Sequence, residues 1–404
     1  MKKVTIYLIL FIIVSCVNRT DNSEVEDVYN RDLFFFVDYE QIIDQEAQIN
    51  LSELVSGVEY VRLETNDSCL LHRFADYHFT KDFIFVDNVT YILQFDREGN
   101  FIKQIGKPGR GPGEIGLIRI LSVLDDQQLL VVQTNWARKL YYFSYVGEFI
   151  ESVKISDAWN IVALPEERLL LFEGCVYGQE EYMFLLTNSE GDTTDVVLNH
   201  YKWENKTGNV MTVGYHLFYP FYRYNKSTHF KSMHNDTVYF ERGDSITPEY
   251  LIDLGKYTLP QEYRPEVLST GTGFNEKSKG YRFATSLEAN NILFIASQDY
   301  STEEQYNIIY NRPEGVGNLL IDKSGSPSGL MNNFDGGLDF WPKGAVDDNT
   351  LFMPILPHQI IGDKNLAEFS GKETLDPEKK KLFLEMVNSL SENDNPILMI
   401  VKLK

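Results

Sequence analysis

Seven histidines, two adjacent aspartate pairs, a glycine–proline loop and an aromatic cluster are the residues of this 404-residue sequence whose types could carry chemistry. The loop, Gly106 to Glu114 (GKPGRGPGE), has the glycine density of a phosphate cradle. A phosphate loop ends in lysine followed by serine or threonine, which reach the phosphates and hold Mg2+. Here Lys107 comes early, no hydroxyl follows, and no helix begins whose dipole would favour an anion. Nucleotide binding is therefore set aside. What remains is a set of charged residues in and after the loop, Lys107, Arg110, Glu114 and Arg119, which form the candidate ligand-binding edge. His72, His78, His200, His216, His229, His234 and His358 make no His-x-x-x-His pair. His229 and His234 fall on opposite faces of a continued strand, so the sequence assigns no metal site and no cofactor. No Gly-x-Ser-x-Gly elbow occurs, and acyl transfer has no positive sign. Asp125-Asp126 and Asp347-Asp348 have the composition of glycosidase carboxylate pairs. Acids also favour turns, which accounts for both pairs, and no catalytic residue is assigned.

The densest aromatic stretch is Tyr215 to Tyr224, YHLFYPFYRY. Tyr215, Tyr219 and Tyr222 are the candidate platform for stacking on sugar rings, because an aromatic face suits the apolar face of a pyranose. The competing reading is packing, since 24 tyrosines and 26 phenylalanines must mostly be buried. Trp136, Trp159 and Trp341 also border expected inner strands.

The net charge is -22, which argues against nucleic acid and against anionic membrane surfaces, both of which need a basic patch. Lys2-Lys3, the apolar run Val4 to Val14 and Ser15-Cys16 read as a signal peptide over residues 1–15, the run being too short to span a bilayer. Ile13-Val14-Ser15-Cys16 resembles a bacterial lipobox. That resemblance makes Cys16 the lipidated first residue and the membrane a partner through the anchor. Residues 16–30 are polar and acidic and read as a flexible tether. Cys69 and Cys175 are the remaining cysteines; two buried free thiols are preferred over a disulfide.

These residues need a scaffold, and the scaffold is repetitive. A polar pair followed by an apolar β-run recurs before Phe83, Leu129, Leu169, Val238, Ile292 and Leu351. A second pattern follows in the early copies: Gln94 to Ile102 matches Tyr142 to Ile150, with weaker copies at Leu185 to Asp192 and Leu320 to Gly325. Its glycine supplies the positive φ of a tight hairpin. Repeats of about 40–50 residues, each worth about four short strands, are the mark of propeller blades. The expected fold is all-β: a six-bladed β-propeller over residues 31–404 with four-stranded antiparallel blades. The long gap between the third and fourth copies is assigned to a loop insertion over Asn199 to Val213. Asp376-Pro377 starts a short C-terminal helix with Leu382, Phe383, Met386, Val387 and Leu390 on one face. The last run, Ile397 to Val401, is expected to join Val58 to Leu63 and Leu351 to Met353, so that both chain ends close the sixth blade.

The hairpin QFDREGNFIKQIG resembles the NHL-type propeller repeat. With GVEYVRLET, the Gly-Pro-Gly-Glu loop, HNDTVYF and NPILMIVKLK, the chain is similar to six-bladed β-propeller lipoproteins of Gram-negative gut-type bacteria, a family largely without assigned function. The resemblance implies a cell-envelope binding module whose ligand is a glycan, a peptide or an envelope protein. The alternative is a propeller enzyme, a hydrolase or lyase acting on a glycan or lactone through acids at the channel mouth. Fold alone does not choose between them.

Overall fold

The computed structural model describes residues 34–109, 111, 113–135, 139–155, 160–172, 178–200, 202–204, 221–232, 235–264, 277–302 and 304–404. Cys16, Arg110, Trp136, Trp159, Cys175, Tyr215 and Tyr219 lie outside them, as do the assigned signal peptide and tether. Six antiparallel sheets follow one another along the chain as the blades of a propeller. Blade one runs through Asp76–Phe79, Phe83–Asp87, Ile92–Asp96 and Phe101–Ile105. Blade two runs through Ile118–Leu124, Leu129–Thr134, Lys139–Ser144 and Phe149–Lys154. Blade three is Asn160–Ala163, Leu169–Phe172, Tyr182–Thr187 and Thr193–Leu198.

Blade four comprises Phe221–Tyr224, Ser227–Lys231, Thr237–Arg242 and Ser245–Asp253, with Phe35–Asp38 added in parallel on its outer edge. Blade five comprises Arg282–Ala289, Ile292–Asp299, Gln305–Asn311 and Val316–Leu320, and takes Glu46–Ala47 in the same way. These two additions cover edges that would otherwise expose unpaired backbone groups. Blade six closes the ring as expected. Gly344–Asp347, Thr350–Ile355 and the C-terminal Ile397–Leu403 are completed by the N-terminal Val55–Arg62, with Val401 opposite both Leu351 and Val58.

Five of the six repeat copies open on the first residue of a second strand or, for Leu351, on its second residue. The fourth does not. Val238 lies in the third strand of blade four, whose second strand is Ser227–Lys231 behind the turn Asn225-Lys226. The apparent long gap therefore contains the first two strands of that blade beside the loop. Both turn residues have positive φ, as do Glu166-Glu167 and Asn290-Asn291, the signature of a tight two-residue hairpin. Leu320 to Gly325 is likewise a turn after blade five and not the hairpin between its third and fourth strands, which lies at Asn311 to Gly315.

Pleating alternates side chains between the two faces of each blade, so the core is divided among the seams between blades. Phe85, Ile105, Ile115, Leu130 and Phe143 fill the seam of blades one and two. The seam of blades six and one holds Ile84, Phe95, Phe352 and Leu398. Two helices, Asp363–Gly371 and Pro377–Asn388, stand between the second and third strands of blade six. Asp376 caps the second of them, its carboxylate accepting from the N–H of Glu378 and Lys379. Phe383 and Val387 are buried against blade six, whereas Leu382 is 63% exposed and not part of that face. Trp203 is buried against Leu259 instead of lying in an open loop. Cys69 is a buried free thiol. No helix among the described residues is long and apolar enough to cross a membrane.

Candidate functional site

A four-stranded antiparallel blade places its connections in a fixed way. The first-to-second and third-to-fourth turns lie on one face of the ring. The second-to-third turns and the blade-to-blade connections lie on the other, here termed the junction face. The glycine–proline loop is the connection from blade one to blade two and lies on that face. Lys107–Pro108 pairs in parallel with Glu114–Ile115, and Ile115 anchors the loop in the seam below. The Glu114 carboxylate accepts from the Gly111 N–H at 2.8 Å and lies 3.5 Å from Lys107 Nζ. A side chain at Gly109 would overlap that carboxylate and push it off its present partners. The structure thus brings Lys107 and Glu114 together. It turns Arg119 elsewhere: its Nε donates to Asn160 Oδ1 at 2.7 Å and its Nη1 to Asn135 Oδ1 at 3.1 Å, bridging blades two and three.

Two acids also reach the junction face from blade one. Asp76 begins the first strand, and Asp87 ends the second directly opposite it. Burial pushes the Asp87 carboxyl up to about 7, against the Val89 N–H that it accepts and with Asp76 adding to the rise. Burial lowers His78, two residues along the same face as Asp76, although Asp76 opposes the shift. The other acid pairs are turn residues. Asp125 accepts from Tyr145 Oη, and Asp348 accepts from the Asn225 N–H at 2.9 Å.

A second cluster lies between blades four and five, toward the opposite face. His229 comes from the second strand of blade four, Glu249 from its fourth, and Glu288 from the first strand of blade five. Arg312 reaches in from the last hairpin of blade five. Its Nη1 donates to Glu249 Oε1 at 3.0 Å and to Glu288 Oε1 at 2.5 Å. His229 Nε2 lies 3.0 Å from Glu249 Oε2, off the line of a hydrogen bond. The imidazole is stacked between Tyr222 at 4.9 Å and Phe240 at 5.6 Å. Tyr222 is thereby part of the packing between blades; its hydroxyl meets that of Tyr250 at 2.9 Å. Burial pushes Glu288 up to about 7 despite Arg312. Burial also raises Glu249, but His229 and Arg312 outweigh it and hold that carboxyl below its usual value. His229 Nδ1, Glu249 Oε2 and Glu288 Oε2 have no hydrogen-bond partner. One ligand atom from each of the three residues lies within 4.8 Å of the others, a donor set of one imidazole and two carboxylates.

Residues 34–402 match the profile of a family described as a domain of unknown function, DUF4934. The chain belongs to the DUF4934 family. Among solved structures it is similar to a Bacteroides fragilis protein proposed to be exported, with 17% identity and a TM-score of 0.67 over 92% of this chain and 99% of that one. It also matches a DUF4221 protein of Bacteroides vulgatus, with 12% identity and a TM-score of 0.46 over 87% and 97% of the two chains. No curated protein matches the chain. The sequence reading of this DUF4934 member did not single out Glu249, Glu288 or Arg312. They are scattered over two strands and a turn, and the one signal they leave is a carboxylate inside an apolar run, as in Leu287-Glu288-Ala289.

Proposed function

We propose that the chain is an extracytoplasmic, lipid-anchored propeller that binds a ligand at its junction face. The observation that carries this reading is the built loop between blades one and two. Two paired strand segments and an ion pair elaborate this connection beyond what joining two blades requires, and a Cβ at Gly109 would displace the Glu114 carboxylate. Recognition surfaces on repeat scaffolds are made from connections of this kind. Lys107, Glu114 and the backbone of the loop offer donors and acceptors suited to a polar ligand such as a glycan or a peptide. The Ile13 to Cys16 segment and the likeness to a protein proposed to be exported support a place outside the cytoplasm. Membrane partition that is lost in Cys16→Ala supports the anchor. Glycan and peptide arrays probed with the full chain test the binding; blank arrays together with no co-purifying envelope protein overturn it.

A second reading is favoured by Asp76 and Asp87. A carboxyl held near 7 opposite a second acid is a general-acid arrangement of the kind a glycan hydrolase or lyase uses. Turnover of a glycan or lactone panel that vanishes in Asp87→Asn selects this reading, and no turnover removes it.

A further inference from the structure

We propose that His229, Glu249 and Glu288 form a binding site for one divalent transition-metal ion between blades four and five. Arg312 occupies one oxygen of each carboxylate; the second Glu288 oxygen and His229 Nδ1 are buried with no partner, and the second Glu249 oxygen faces His229 Nε2 at 3.0 Å without an aligned hydrogen bond. Glu288 is fully buried and His229 is 97% buried. A buried carboxylate oxygen without a partner costs free energy, so an occupant is called for. The surroundings are those of a preformed ligand set. Tyr222 and Phe240 fix the plane of the imidazole, and Arg312 fixes the outer oxygens of both carboxylates, as second-sphere groups do around metal ions.

Donor atoms around a tetrahedral ion at about 2.1 Å lie about 3.4 Å apart. The separations here, up to 4.8 Å, close to that value with small side-chain rotations. Imidazole with carboxylates selects Zn2+, Co2+ or Mn2+ over Ca2+, which takes oxygen ligands alone. Three protein ligands leave a position for water. The Arg312 side chain is 24% exposed and offers the ion a way in from solvent.

The test uses the full chain, free of tags and metal. Co2+ is expected to bind with one equivalent, to give a visible d–d spectrum, and to be displaced by Zn2+. Pulsed electron paramagnetic resonance with Cu2+ is expected to show a single imidazole nitrogen. Glu288→Gln and, separately, Glu249→Gln are expected to weaken binding at least tenfold. No binding would overturn the proposal. Binding unchanged in either variant, or a spectrum with no nitrogen or with several, would also overturn it. The wild-type spectrum keeps the test decisive if one variant does not fold.

Discussion

The seam between blades one and two and the seam between blades four and five are built from the same strands in the same arrangement, yet they differ in kind. The first is closed by Phe85, Ile105, Ile115, Ile118, Leu121, Leu130 and Phe143. Apolar packing is non-directional and needs only that the pleat deliver side chains of suitable volume. The second is apolar over half its depth, through Tyr250, Ile252, Leu293, Ile295 and Ile308, and then becomes ionic at His229, Glu249, Glu288 and Arg312. Buried charges contribute little net stability even when paired, and are costly when a partner is lost. An ionic half-seam with unpartnered oxygens is therefore a poor way to hold two blades together. Its presence points to a task other than adhesion.

The comparison can be broken at several strengths. Phe85→Ala leaves a cavity at a fully buried position of the apolar seam and is expected to cost about 3–5 kcal/mol in denaturant unfolding. In the ionic seam, Arg312→Met strands two buried carboxylates and should cost about 2–4 kcal/mol, the guanidinium being partly exposed. Adding Glu249→Gln and Glu288→Gln to that variant should recover most of the loss, since the burden lies in the unpaired charge. Equal losses in the single and triple variants would show that the seam is held by shape alone.

Asp87 is the polar intruder at the junction-face end of the apolar seam, on the same face of its strand as Phe83 and Phe85. Its carboxyl is raised to about 7 in the folded chain, above the ordinary value of about 4. The folded state therefore holds a proton that the unfolded state has released. Its contribution is complete below about pH 4 and is lost as the pH rises through 7. Unfolding at pH 4.5, 5.5, 6.5 and 7.5 should show Asp87→Asn removing a fall of about 1–3 kcal/mol. A slope unchanged by the substitution would assign the fall to other groups. The smallest effect belongs to Lys107→Ala. Its ion pair with Glu114 is exposed, so stability should change by less than about 0.5 kcal/mol, while binding at the junction face should weaken. A stability loss comparable to that of Phe85→Ala would make the loop a structural strut.

Much of the scaffold was legible because its signals are local. Leu129 to Val132 behind Gln127-Gln128 is an apolar run behind a turn, and the structure places it as the second strand of its blade. The closure was legible too, because a terminal strand with no partner of its own must find an edge. The same reasoning slipped at Val238, where a third strand carries the same turn-then-run pattern as a second strand. Nothing within ten residues distinguishes the two positions, since the strand's rank depends on its neighbours. The sequence leaves Tyr222 between a platform and a packing role for a similar reason. Aromatic density marks both a platform and a core, and only the position of Tyr250 and His229 decides that Tyr222 is enclosed.

The loop at Lys107 to Glu114 could be read as the connection between two blades, because glycine and proline exclude helix and interior strand. That Glu114 folds back onto the loop, and that Arg119 turns away to Asn135 and Asn160, could not be read from it.

By itself the sequence determined the number of blades, the ring closure and the place of the unique loop, because period-two patterning and turn chemistry act over a few residues and repeat. Only the tertiary structure decided that residues 229, 249, 288 and 312 share one buried space. Their meeting depends on how two blades are docked, and docking is set by the closing of the whole ring. No local pattern carries that information, because each of the four residues satisfies its own strand or turn equally well with or without the others.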